Sequence, residues 1–85
     1  MGRNLIINFK ITKYMQIKAK VIFKNIGAGV WLLEDENQIA YQPTNLQKKF
    51  QQQNINVNAE IEVIEGAMSS FMAGKIVKIK KIELI

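Results

Sequence analysis

Along most of this chain apolar and polar residues alternate one for one, the spacing that sends successive side chains to opposite faces of an extended strand. The pattern is cleanest in MQIKAKVIFKNI, where Ile17, Ala19, Val21 and Phe23 share one face and Lys18, Lys20 and Lys24 the other. INVNAEIEVIE repeats it, with Ile55, Val57, Ala59, Ile61 and Val63 against Asn56, Asn58, Glu60 and Glu62. LIINFKI near the start has the same period through Leu5, Ile7, Phe9 and Ile11. Residues 1–14 therefore read as an extra edge strand or a leader, ahead of a domain over 15–85. In KIVKIKKIELI the apolar phase slips between Ile79 and Ile82, which predicts a β-bulge at Lys80–Lys81.

Two further stretches change character. GAG (Gly27–Gly29) marks a turn, and VWLLEDENQIAY after it reads as a hairpin. With the tip at Glu36–Asn37, Leu32 faces Tyr41 and Leu33 faces Ala40. Val30, Leu32, Ile39 and Tyr41 then lie on one side of the ribbon, and Trp31, Leu33, Ala40 and Gln42 on the other. A one-residue change in the tip would alter these partners. YQPTNLQKKF follows, with the chain's only proline. Pro43 cannot donate to a sheet ladder, so the third strand stops there. Thr44 or Asn45 can cap a short helix, Leu46 and Phe50 share one face of it, and Asn54 suits a left-handed exit.

The predicted order is strand, two-strand hairpin, short helix, strand, loop, strand. Five strands in a chain this short leave two bare edges unless the sheet closes, and closure also creates an interior for the alternating apolar faces. The expected fold is an all-β five-stranded barrel with a short helix between strands 3 and 4. Tyr41, Pro43, Leu46 and Phe50 form a structural plug at one open end.

Composition narrows the chemistry. The 85 residues make one domain, with no cysteine and no histidine. Disulfides, thiolate chemistry and Cys-ligated zinc are excluded, and the commonest general base and metal ligand is missing. The hydroxyls of Thr12, Thr44, Ser69 and Ser70 have no base to activate them, so an enzyme is not expected, and neither is a cofactor or a metal. Glu34–Asp35–Glu36 is too short for a calcium loop and reads as a solvated turn. The net charge is +5, yet eleven of the twelve basic residues are lysine and the only arginine is Arg3. Lys, Ile and Asn together make 33 of the 85 residues, a bias that AT-rich coding produces unaided. No apolar run reaches the ~18–20 residues that a membrane span needs. No secretory signal is evident either, and a cytoplasmic location is the default expectation.

GAGVWLLEDENQIAYQPTNLQKKFQQQNINV and the closing GKIVKIKKIEL resemble small OB-fold modules of bacteria and archaea, including NigD-like and other uncharacterised short lipoproteins. In these a Gly-rich turn precedes W-L-L, an acidic tip follows, and a Tyr-x-Pro-x-Asn-Leu segment leads to a Phe and a new strand. The resemblance covers Ile17 to Leu84 and implies an OB-like barrel; for its envelope members it implies a cell-envelope location.

Such a fold directs attention to particular residues. OB-like barrels bind on the face of strands 2 and 3 and through nearby loops. Trp31 and Leu33, read as outward-facing, then form a partner surface with Phe71 and Met72 of the Met68–Met72 loop. The leading expectation is a non-catalytic module for a protein, peptide or saccharide partner. The alternative is single-stranded nucleic acid, held by the Trp31 face with Lys18, Lys20, Lys75 and Lys78 along the phosphates. Each feature has a plainer reading too: Trp31 as core, the lysines as a solvated and edge-guarding strand face, the Met/Phe loop as a second barrel plug. A homodimer paired through the LIINFKI strand is a further expectation.

Overall fold

The computed structural model describes residues 13–64 and 74–85. Five strands form a closed barrel: β1 (Lys13–Lys24), β2 (Val30–Asp35), β3 (Ala40–Pro43), β4 (Asn56–Val63) and β5 (Lys75–Leu84), in the order β1-β2-β3-β5-β4. All neighbours are antiparallel except β3 and β5, which run parallel and close the barrel. β1 serves both sides, pairing with β4 through Lys13–Lys20 and with β2 through Ala19–Lys24. The LIINFKI segment, with the dimer expected through it, and Met68, Phe71 and Met72 lie outside the described residues.

The alternating faces make the interior. Ile17, Ala19 and Val21 of β1, Val57, Ala59, Ile61 and Val63 of β4, and Val77 and Ile79 of β5 are buried in one cluster with Leu33, Tyr41 and Phe50. Across β4 and β5 the pairing jumps from Glu60–Lys81 to Ile61–Ile79, so Lys80 is the extra residue of the bulge. The bulge lets the strand bend while its apolar side stays inward on both halves, Ile79 before it and the half-buried Ile82 after it.

Two expectations are corrected. The helix between strands 3 and 4 is a single 3-10 turn, Lys48–Phe50, and no α-helix occurs among the described residues. It cannot start earlier because Thr44 and Asn45 are still tied to β5. The Thr44 N–H donates to the Val77 carbonyl at 3.0 Å. The Asn45 side chain bonds both backbone groups of Ile79, accepting its N–H at 2.8 Å and donating to its carbonyl at 3.0 Å. Asn45 therefore prolongs the parallel ladder beyond Pro43, where the backbone has left the sheet, and does not cap a helix. Asn54, at φ 69°, is the left-handed exit.

The hairpin register is the second correction. Leu33 pairs with Tyr41 and Glu34 with Ala40, one residue away from a Glu36–Asn37 tip. The loop has three residues, not two. Asp35 opens a turn by accepting the Gln38 N–H on its carbonyl (2.9 Å) and the N–H groups of Asn37 and Ile39 on its carboxylate (both 2.9 Å). Gln38 then takes φ 65°, the left-handed residue that completes three-residue hairpins. One extra loop residue exchanges the two faces of β2.

Candidate functional site

That exchange decides where the predicted site residues stand. Leu33 is fully buried, facing Val21 and Tyr41 inside the barrel, so it is no part of an outer binding face. Trp31 is on the same, inward side but one step nearer the β1–β2 turn, where the barrel ends. It is half-buried and packs on the core cluster. Its cross-strand partner is Phe23, with ring centroids 4.9 Å apart and planes tilted by 56°. Val30 and Leu32, expected inside with Tyr41, are buried on the opposite side of β2 and do not belong to the interior cluster.

Phe23 joins the site as a residue that alternation alone assigned to the core. Its side is inward, but at the strand end there is little barrel left to cover it, and it is 38% exposed. The ring lies across Gly29, at φ 99°, where an added Cβ would sit 2.3 Å from the tip of the ring. The backbone conformation favours glycine here, and a side chain would also push the Phe23 ring aside. Gln53 fixes the strand under Phe23 by accepting its N–H at 2.6 Å. Trp31, Phe23 and Gly29 make an aromatic rim at the β1–β2 end of the barrel.

The predicted lysines do not merge into one basic surface. Lys18 and Lys20 stand exposed on the outer face of β1, with Glu34 and Asn56 flanking Lys20 and Asn58 beside Lys18. Lys78 is on β5, beyond the intervening β4, opposite Glu62, and Lys81 is opposite Glu60. Lys80 forms an ion pair with Glu62 at 3.7 Å. Lys75 starts β5 alongside Tyr41. The cross-strand arrangement sets carboxylates among most of the β5 lysines, leaving a mixed-charge sheet face. Lys49 lies over the Phe50 ring at 5.4 Å, outside the aromatic rim.

Of the residues expected to plug the barrel, Phe50 and Tyr41 are buried in the interior cluster, Leu46 packs against it, and Pro43 is the last residue of β3. The Tyr41 hydroxyl donates to the Asp35 carboxylate at 3.4 Å. Burial, and then the neighbouring Asp35 charge, push the Tyr41 phenol above its ordinary range. No group of three or more His, Cys, Asp or Glu able to hold a metal occurs among the described residues. Two adjoining open depressions, of about 420 and 400 Å³, flank Lys18 beside the hairpin tip.

No protein-family model matches the chain, and no curated protein or solved structure shows significant similarity to it. No described helix is long and apolar enough to cross a membrane.

Proposed function

We propose that this chain is an OB-like, non-catalytic binding module that takes a protein, peptide or saccharide partner at the aromatic rim of Phe23 and Trp31. The strand order, with β1 shared between two neighbours and β3 parallel to β5, supports the OB-like reading, as does the resemblance to NigD-like and related modules. The observation that carries the binding site is the Phe23–Trp31 pair at the barrel end, with Phe23 more than a third exposed over Gly29. A large aromatic left at a rim adds contact area to a partner at little conformational cost. The mixed-charge faces of β1, β4 and β5 favour this reading over nucleic acid, whose affinity rests on clustered unneutralised cations. A cytoplasmic location belongs to the same proposal.

Trp31 is the chain's only tryptophan and so reports on the rim directly. Its emission is followed while the protein is titrated with oligo-dT at low and high salt, then with peptide and oligosaccharide panels. The expected outcome is no response to oligo-dT and a saturable change with a peptide or saccharide that Phe23→Ala abolishes. A saturable, salt-sensitive quench by oligo-dT would replace this reading with single-stranded nucleic-acid binding.

A further inference from the structure

Among the described residues, β1 extends beyond its β2 partner on one edge. Val21 bonds toward the β4 side, donating its N–H to Ile55 at 2.9 Å and accepting from Asn54 at 2.7 Å. Phe23 also donates to that side, to Gln53. Backbone groups of successive strand residues point to opposite edges, so the odd-numbered residues of β1 serve β4. Tyr14, Gln16 and Lys18 then direct their N–H and C=O groups toward the β2 side. β2 begins its pairing only at Ala19, opposite Asp35, and no described strand meets that edge before it. An open groove of about 400 Å³ runs alongside, lined by Met15, Gln16, Ile17 and Lys18 and by the hairpin tip at Asp35–Asn37.

We propose that this edge pairs with the same edge of a second copy, giving a two-fold dimer whose β1 strands run antiparallel with Gln16 opposite its own copy. Identical edges brought together by a two-fold axis form a closed, self-complementary contact. The register follows from what stands opposite what. Centred on Gln16, Tyr14 meets Lys18 of the second copy on the outer side and Met15 meets Ile17 on the inner side. No lysine opposes a lysine, and the pairs from Tyr14 to Lys18 lie where no described strand meets that edge. Moving the centre one residue toward the C-terminus sets Tyr14 against Lys20, whose place on that edge is already taken by Glu34 of β2. Charge complements the register. The second copy's strand carries Lys13 past Lys18 toward Asp35 and Glu36, which wall the groove. Tyr14, 65% exposed, gains a cross-strand neighbour. This contact is separate from the aromatic rim and does not depend on it.

The chain has no cysteine, so Gln16→Cys introduces a single thiol at the axis. Opposed strand residues lie within disulfide reach. Sedimentation of the full chain is expected to give about twice 9.7 kDa at high concentration. Gln16→Cys should oxidise to a covalent dimer. Gln16→Pro, whose lost N–H points to the β2-side edge and away from the β4 ladder, should return the mass to monomer. If that variant does not fold, Gln16→Lys decides, because it sets two like charges opposite each other at the axis and should weaken association tenfold or more. A monomer at about 1 mM, the concentration scale of the weakest specific contacts, overturns the proposal. So does a dimer that ignores the position-16 charge, or one in which Gln16→Cys fails to cross-link.

Discussion

At the residue scale, Asp35 decides more than its place in an acidic run suggests. Its carbonyl and carboxylate take three N–H groups of the hairpin loop, and the same carboxylate accepts the Tyr41 hydroxyl. Tyr41 is consequently a buried phenol beside a negative charge, and both conditions disfavour its ionised form. In the unfolded chain it ionises near the ordinary value of ~10. Below that pH both states hold the proton and the stabilisation is complete. As pH rises further the unfolded phenol ionises first, so stability falls as pH climbs through the raised folded value. Lysines titrate in the same window, so the measurement is a difference. The urea midpoint of the wild type minus that of Tyr41→Phe should shrink as pH rises above ~10. A difference that stays flat would mean that Tyr41 is not held neutral by the fold.

At the element scale, side chains complete ladders that the backbone leaves unfinished. Asn45 continues the β3–β5 pairing past Pro43, and Gln53 does the same for β1 at Phe23. Asn45 was legible in the sequence only as a helix cap, because capping is what Asn does locally. Its real partner, Ile79, is 34 residues away, and no local pattern announces that. Asn45→Ala leaves both backbone groups of Ile79 without protein partners just before the Lys80 bulge. The expected cost is about 1–3 kcal/mol in urea unfolding, with faster amide exchange at Ile79. Unchanged exchange there would show that the parallel closure does not lean on Asn45. The bulge itself was readable in advance, since a lost beat in an alternating strand is a local signal.

At the scale of the whole molecule, a small barrel with a modest core depends on each large interior side chain. Phe50 stands in the single 3-10 turn between β3 and β4 and is buried in the interior cluster. Phe50→Ser removes that packing and puts a hydroxyl in its place, a loss of about 3–5 kcal/mol or more. For a domain of this size that corresponds to a fall in Tm of at least about 12 °C, or to no folding at all. A melting curve that overlays the wild type would contradict the plug.

Local patterning sufficed for the five barrel strands, the β-bulge, the stop at Pro43, the left-handed Asn54 and the closed barrel. Each follows from a period of two, a missing donor or the need to remove bare edges, and these are properties of short stretches. Which face of β2 points inward was settled by long-range packing. The loop accommodates it with one residue, Gln38 in a left-handed conformation stabilised around Asp35, and a period of two turns a one-residue slip into an exchange of faces. It moved Leu33 into the core and Trp31 to the rim beside Phe23. The edge of β1 that no described strand meets became visible in the same way, because it depends on where β2 stops.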